Sequence, residues 1–491
     1  MPEVILSIDQ GTTGTTVLAL TSTLEVVGRT KAEFRQIYPR PGWVEHDPND
    51  IWASVVRASQ QVLAGLPHGS TVSAIGITNQ RETVVLWDRK TLEPACNAIV
   101  WQDRRTAPDC DRLRKAGLEK AVQKKTGLLL DPYFAGTKLS WMLRNDGLLA
   151  RRAREGRLCF GTVDSWLLAK LTQGQVHVTD YSNASRTLFF DLKALCWDRD
   201  LLKLFKIPAV ILPEARPNVG DFGKTRGLDF LPDGVPITGV AGDQQAALFG
   251  QACFEAGSAK STYGTGAFVL LNTGEKPMFS KHRLLTTVAW NLGGKTTYAL
   301  EGSAFVAGAA VQWLRDGLGL IGTAAEIEAL AAQVPDSGEV YFVPALTGMG
   351  APHWRPDARG LLTGITRGTN KSHLARAILE GIAFQVADLL TAMEKDSGVR
   401  LKELRVDGGA SANNLLMQFQ ADILGRKVVR PRIIETTALG AAFLAGIGCG
   451  MWEGPSAVRK VWKKDMDFVP RFSNRERRVR LEKWHDAVRR A

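Results

Sequence analysis

Few cysteines and no long hydrophobic run occur in this sequence of 491 residues, and both absences argue against whole classes of protein. The six cysteines are scattered and none lies in a Cys-x-x-Cys pair, so neither a zinc site nor a disulfide framework is predicted. Reduced thiols and a cytoplasmic location are therefore expected. The best apolar stretch, 438–450, is short and interrupted by glycine, so no membrane span is predicted, and no leader peptide is recognised at the N-terminus.

Basic residues outnumber acidic ones, and the net charge is +12. Such a charge can indicate nucleic-acid binding. Here, however, the basic residues cluster at 151–154 and in a predicted C-terminal helix, 474–490, which carries its apolar side chains near one face. Those apolar positions are Val479, Leu481, Trp484 and Val488. We interpret the charge as a solvated helix face that also attracts anionic nucleotides, and we predict no nucleic-acid partner.

The length suits two large domains, predicted at 1–249 and 250–491. Apolar runs alternate with helical patterns in both halves, which predicts an α/β fold. A stretch rich in proline and glycine, 207–236, is interpreted as a long connection between the halves.

A turn rich in glycine and threonine follows Asp9 and is flanked by apolar runs at 4–8 and 17–20. The pattern predicts a strand, a tight turn and a second strand, whereas a P-loop or a Rossmann turn opens a helix. Glycines let the backbone approach an anion, amides and hydroxyls donate hydrogen bonds, and Asp9 could hold Mg²⁺ beside phosphates. A hairpin without a ligand is the alternative.

Two later segments complete a pattern of three elements. Residues 260–271 repeat the order of strand, glycine turn and strand, and a strand at 403–406 runs into Asp-Gly-Gly at 407–409. This combination is similar to the actin-like (ribonuclease H-like) ATPase core, in which two hairpins hold the phosphates and the last element packs on adenosine. The predicted fold is therefore two such α/β domains with a cleft between them.

Asp243 lies where a predicted strand, 235–241, meets a predicted helix. Strand ends of this kind face ligands in open α/β sheets, so Asp243 is a candidate base for an attacking hydroxyl. A helix N-cap is the alternative role. Arg81 and Glu82 also end an apolar strand, and together with Gln244 they could pair the hydroxyls of a polyol, although a surface ion pair is the alternative. Tyr133 offers either a flat wall for the substrate or ordinary core packing.

Seven blocks of residues, in a fixed order along nearly the whole chain, resemble the FGGY carbohydrate kinases, and within them the members that phosphorylate glycerol. The resemblance thins after about residue 455. The blocks are 78–83 (TNQRET), 100–106 (VWQDRRT), 131–134 (DPYF), 160–166 (FGTVDSW), 180–187 (DYSNASRT), 242–250 (GDQQAALFG) and 407–410 (DGGA).

The resemblance implies ATP-dependent phosphorylation of glycerol to sn-glycerol 3-phosphate with Mg²⁺, in a homo-oligomer that is a dimer or a tetramer. It places Asp9 near the metal and makes Asp243 the base. The residues implied for glycerol are Arg81, Glu82, Tyr133, Asp243 and Gln244, and those implied for the nucleotide are Thr12, Thr13, Thr265, Gly308, Gln312, Gly409 and Asn413.

Some alternatives stay open beside the resemblance. Gly308 could serve only close helix packing, and Asn413 could be only the N-cap of a helix at 413–424. The chain also departs from the family in its first hairpin, where Thr16 replaces an arginine and Gly14 a serine. A kinase for a pentulose or another polyol is the nearest rival function. An actin-like chaperone or filament protein is a more distant one.

Overall fold

The computed structural model describes residues 2–355 and 357–491, which form two large β-sheets with helices packed against them, together with five sheets of two strands each. In chain order, the strands are β1 Glu3–Gln10, β2 Gly14–Thr21, β3 Val26–Glu33, β4 Glu45–His46, β5 Thr71–Asn79, β6 Val85–Asp88, β7 Ala98–Ile99, β8 Leu158–Gly161, β9 Val178–Asp180, β10 Phe190–Asp191, β11 Cys196–Trp197, β12 Glu214–Arg216, β13 Ile237–Gly242, β14 Ser258–Tyr263, β15 Ala267–Gly274, β16 Leu285–Leu292, β17 Lys295–Ala304, β18 Tyr341–Val343, β19 Leu361–Thr363, β20 Glu403–Asp407, β21 Val428–Pro431 and β22 Lys464–Phe468.

The α-helices are α1 Pro48–Ala64, α2 Ala107–Lys115, α3 Glu119–Thr126, α4 Ala135–Asn145, α5 Gly147–Arg154, α6 Val163–Leu171, α7 Tyr181–Ala184, α8 Arg199–Phe205, α9 Asp243–Gly250, α10 Gly308–Gln312, α11 Glu326–Ala331, α12 Lys371–Ser397, α13 Asn414–Leu424, α14 Thr436–Gly448, α15 Pro455–Val461 and α16 Asn474–Arg490. No described helix is both long and apolar enough to cross a membrane.

The first sheet has the strand order β13-β5-β1-β2-β3. Its first three strands in sequence form an antiparallel meander, and β5 and β13 then add in parallel to β1. Side chains alternate across β1, so that Leu6 and Ile8 pack with α1 and α6 while Ile5 packs with α14. Because β1, β5 and β13 run parallel to one another, their polar C-terminal ends meet at one edge of the sheet.

The second sheet repeats this plan with the order β16-β17-β15-β14-β20-β21-β22. Strands β14, β15 and β17 form the antiparallel part, and β20 adds in parallel to β14. The long helix α12 packs against this sheet together with α13, and α16 packs on α13 and on the separate pair of strands β18 and β19. The hairpins predicted at 4–20 and 260–271 and the strand predicted at 403–406 are thus confirmed.

Helix α14 joins the two halves, although it lies late in the chain. It packs on α9 and against β13, β5 and β1 of the first sheet. The approach requires glycine, because a Cβ atom on Gly440 would lie 1.8 Å from the Ala246 carbonyl oxygen and one on Gly250 would lie 2.0 Å from that of Thr436. The Ser7 hydroxyl also donates to the Ala438 carbonyl at 2.6 Å.

One local prediction was wrong. The stretch 207–236 does not connect the halves, because the strand that follows it, β13, pairs with β5 inside the first sheet. In the second half, α10 begins only at Gly308, because Ser303 and Ala304 pair with β15 and prolong β17. The C-terminal helix is confirmed as α16, with Trp484 and Val488 buried.

Candidate active site

Arg81 and Asp243 meet at the ends of the adjacent parallel strands β5 and β13. Arg81 Nε lies 3.0 Å from Asp243 Oδ1. Gly242 makes this arrangement possible, since a Cβ atom there would lie 2.7 Å from Arg81 Cδ. Gly242 itself is the N-cap of α9, and the Asp243 carboxylate accepts from the next backbone N–H, that of Gln244, at 2.7 Å. The N-cap alternative for Asp243 is therefore wrong, and its side chain stays 30% exposed at the cleft.

A buried ion-pair network holds the Arg81 guanidinium from the opposite half of the molecule. Arg81 donates to both carboxylate oxygens of Glu301 on β17, at 2.7 and 2.9 Å. Arg186 donates to Glu301 at 3.0 Å and to Glu82 at 2.6 Å. All four side chains are almost completely buried. The Arg81–Glu82 surface-pair alternative is therefore wrong.

The two carboxyls of this network respond differently to their surroundings. Burial favours a neutral Glu301, but the guanidiniums of Arg186 and Arg81 outweigh it and lower the Glu301 pKa from 4.5 to about 2. Burial dominates at Glu82 and raises its pKa despite the same two arginines. Glu301 is thus the anion that fixes both guanidiniums.

Two donors of the network have no hydrogen-bond partner among the described residues. They are Arg81 Nε, whose contact with Asp243 is an ion pair of poor hydrogen-bond geometry, and Arg186 Nη1. Buried N–H groups are normally satisfied by protein, water or a ligand. Each is therefore a buried donor that a water or a ligand oxygen reaching the network would satisfy.

Tyr133 and Trp101 form an aromatic wall beside this network. Their rings meet edge to face with centroids 5.6 Å apart, and Arg81 Nη2 lies 3.4 Å from the Tyr133 hydroxyl. The Trp101 indole N–H donates to Thr12 Oγ1 at 2.9 Å, and its ring lies 6.4 Å from that of Phe268. Trp101 thus connects the first hairpin with the strand that leaves the second.

Asp9 lies near Asp243 and completes a pair of carboxylates. Burial, followed by the neighbouring Asp243 charge, raises the Asp9 pKa from 3.8 to about 7. A divalent cation bound beside these two carboxylates would neutralise their mutual repulsion. Among residues 2–355 and 357–491 no cluster of three or more His, Cys, Asp or Glu could hold a metal. This donor set suits Mg²⁺, which commonly takes one or two carboxylates and completes its shell with water and phosphate oxygens.

The second hairpin is built around Thr265 and closed by the start of α10. The backbone N–H groups of Ala307 and Ala309 donate to the Thr265 carbonyl at 2.9 and 3.0 Å. A Cβ atom on Gly308 would lie 2.6 Å from the Gly264 carbonyl oxygen. Gly308 therefore allows close packing, and the backbone that it packs against belongs to the predicted phosphate-binding turn.

The remaining nucleotide candidates are more dispersed. Gln312 is exposed at the end of α10, and Gly409 is exposed at the start of a 3₁₀ turn. Asn413 caps α13 by accepting from the Leu416 N–H at 2.8 Å, so its N-cap role is confirmed, and its nucleotide role stays a prediction. The left-handed backbone lies one residue earlier than Gly409, at Gly408, where φ is +82°.

The first hairpin places Thr12 and Thr13 at its turn, where Gly11 N–H donates to the Gly14 carbonyl at 2.9 Å. Thr13 is exposed, and its carbonyl accepts from the Phe34 N–H. Thr16 lies between Asp9 of β1 and Lys31 of β3 in the sheet register. Lys31 is therefore a cation on the strand next to Thr16, the position where the resemblance led us to expect an arginine.

Gln244 is the second residue of α9, and its side-chain amide contacts a buried lysine. Lys260 of β14 donates to Gln244 Oε1 and, at 2.9 Å, to Thr262 Oγ1. Burial lowers the Lys260 pKa from 10.5 to about 8, although Asp407 and Asp243 oppose the shift. The ammonium is thus enclosed among the candidate site residues.

Sequence reasoning missed Glu301, Lys260 and Arg186 as members of the site. The first two interrupt otherwise apolar or small-residue strands, and a charge in a buried strand was the available signal. Arg186 lies in one of the blocks that carried the resemblance, but it received no role.

Family models cover most of the chain. The N-terminal domain model of the FGGY family of carbohydrate kinases matches residues 4–250, and the C-terminal domain model matches residues 259–449.

Individual proteins match over the full length. A glycerol kinase of Myxococcus xanthus is 57% identical over 99% of both chains, and one of Bdellovibrio bacteriovorus is 54% identical over 100% of this chain and 99% of its own. The crystal structure of Plasmodium falciparum glycerol kinase with ADP aligns with a TM-score of 0.95 and 39% identity, over 100% of this chain and 98% of its own. The predicted two-domain actin-like fold is confirmed, and the chain belongs to the FGGY family of carbohydrate kinases.

Proposed function

We propose that the protein is a glycerol kinase, which transfers the terminal phosphoryl group of ATP to glycerol and forms sn-glycerol 3-phosphate. Full-length relatives with that activity in their names support the substrate. One structural observation carries the proposal: Arg81, Glu82, Asp243 and Gln244 converge beside a pair of hairpins suited to phosphate.

A triol of three carbons needs a paired donor or acceptor at each hydroxyl, because a buried polar group without a partner costs ~1–3 kcal/mol. Arg81 and Gln244 supply donors, and Glu82 and Asp243 supply acceptors. The reacting hydroxyl would lie beside Arg81 and Asp243, whose Nε and Oδ1 atoms are 3.0 Å apart. The Tyr133 ring gives the carbon chain an apolar wall.

The nucleotide would lie across the two hairpins, with Thr12, Thr13 and Thr265 donating to phosphate oxygens. Gly308 and Gln312 would border it on one side, and Gly409 and Asn413 on the other. Asp9 would hold Mg²⁺, which neutralises phosphate charge when bound.

Asp243 is proposed to act as the general base. As the glycerol oxygen attacks the terminal phosphorus, its hydroxyl proton passes to the Asp243 carboxylate. The new O–P bond forms while the bond between that phosphorus and the bridging oxygen breaks, and the electron pair leaves with ADP. Arg81 keeps the carboxylate directed at the cleft, since it is itself fixed by Glu301.

A coupled assay for ADP release tests the substrate directly. We expect turnover with glycerol to exceed that with erythritol, ribulose and xylulose, measured as kcat/KM at saturating MgATP. A preference for either pentulose would replace this function with that of another kinase of the family. Cytoplasmic location and a dimeric or tetrameric state stay predictions, and light scattering of the purified chain measures the latter.

A further inference from the structure

Lys260 is one of the few lysines in the chain with a completely buried side chain, and the proposed reaction assigns it no role. It lies on β14, just before the second hairpin, and is 0% exposed. Its ammonium has two described acceptors, Gln244 Oε1 and Thr262 Oγ1. Burying an ammonium is costly, so a site that keeps one there uses it.

The contact fixes the orientation of the Gln244 amide. An ammonium group donates three hydrogen bonds and accepts none, so only the oxygen of the amide can face it. The amide nitrogen, Nε2, must then point to the other side. No acceptor among residues 2–355 and 357–491 takes a hydrogen bond from Nε2, and Gln244 keeps 8% of its surface exposed.

Burial disfavours the ammonium, and the charges around it offset that cost only in part. Asp407 on β20, Asp243 on α9 and Glu301 on β17 all favour the charged lysine, and Arg81 opposes it. Asp407 is itself held by Gln251 at 2.7 Å. These groups come from separate strands and a helix, so several elements set the electrostatic surroundings of the ammonium.

We propose that Lys260 is a positioning residue that turns Gln244 into an obligatory hydrogen-bond donor toward one glycerol hydroxyl. This inference rests on the proposed function and adds a rule of specificity. The group at that substrate position must be able to accept a hydrogen bond. A group that only donates is rejected, even when its size matches a hydroxyl.

Two amino analogues of glycerol test the rule, because their ammonium groups only donate at pH 7. They are 3-amino-1,2-propanediol and 2-amino-1,3-propanediol, which place the ammonium at a terminal or at the central carbon. For each enzyme we would measure the ratio of kcat/KM for the analogue to kcat/KM for glycerol. This ratio does not depend on the fraction of active protein.

The enzyme without substitutions should discriminate strongly against the analogue whose ammonium replaces the hydroxyl contacted by Gln244. Lys260→Met frees the amide to rotate and present its oxygen, and should raise the ratio for that analogue roughly ten- to one-hundredfold. Lys260→Arg retains a donor and should restore the original ratio. Lys402→Met, at an exposed lysine paired with Glu255, is the matched control and should leave the ratio unchanged.

Gln244→Glu provides a second variant if Lys260→Met does not fold. Its carboxylate keeps one oxygen on Lys260 and presents the other to the substrate, so the same ratio should rise. Unchanged ratios in both variants, with glycerol turnover intact in the starting enzyme, would overturn the inference alone. Failure of the starting enzyme to turn over glycerol would overturn the proposed function and this inference with it.

Discussion

Glu301→Gln tests whether the buried network joins the two halves around Arg81. The substitution keeps the side-chain size and removes the charge that faces two guanidiniums, Arg81 and Arg186. Removing one partner of a buried ion pair typically costs ~3–5 kcal/mol. The lowered pKa gives a similar figure, since a fall from 4.5 to about 2 in the folded state corresponds to ~3 kcal/mol of stability.

The sign of the pH dependence follows from that lowered pKa. The stabilisation by Glu301 is fully present above about pH 4.5, the value of the unfolded carboxyl, and is lost as the pH falls toward about 2. Glu301→Gln should therefore be less stable than the starting protein at pH 7, and the difference should shrink in acid.

Urea unfolding, followed by far-UV circular dichroism and tryptophan fluorescence, measures the loss. We expect Glu301→Gln to lower the free energy of unfolding by ~3 kcal/mol and to raise the KM for glycerol, because Arg81 loses its anchor. Glu255→Gln is the matched control: this exposed glutamate pairs with Lys402 and Arg459 and should change stability by less than ~1 kcal/mol. Equal stability of the two variants would refute the structural role given to Glu301.

Three further predictions concern the two hairpins and the Mg²⁺ site. Gly308→Ala should raise the KM for MgATP about tenfold or more, since its Cβ would lie 2.6 Å from the Gly264 carbonyl, while Gly147→Ala, which meets no atom within 4 Å, should not. Steady-state kinetics at varied MgATP checks both. Thr16→Arg should tighten MgATP binding or leave it unchanged in calorimetric titration, and a large loss would mean that the first hairpin is built differently. Mg²⁺ affinity should increase as the pH rises through about 7, where Asp9 loses its proton, and Asp9→Asn should flatten that dependence in titrations of Mg²⁺ at fixed nucleotide.

The sequence could predict the site residues that lie at the ends of strands. Asp9, Arg81 and Asp243 each follow a local apolar run, so their positions at one sheet edge followed from the pattern of the strands. Gly308 was predicted as a nucleotide residue, and the structure shows that it packs closely on the Gly264 carbonyl, while its nucleotide role stays a prediction.

Long-range partners could not be predicted in the same way. Glu301 lies 220 residues from Arg81, and Arg186 lies 104 residues from Glu82, so no local pattern links them. Helix α14 lies in the C-terminal half but packs against the first sheet, and only the complementary glycines at the contact, Gly250 and Gly440, hint at this in the sequence. Local chemistry indicated the reacting groups, whereas the groups that position them became visible only in three dimensions.

The kinetics of Asp243→Asn provide the most direct test of the central claim. The substitution preserves size and removes the proton acceptor beside Arg81. Measured as glycerol-dependent ADP release, kcat should fall by roughly two to four orders of magnitude, while the KM for glycerol changes only modestly. A kcat close to that of the starting enzyme would contradict the assignment of Asp243 as the base.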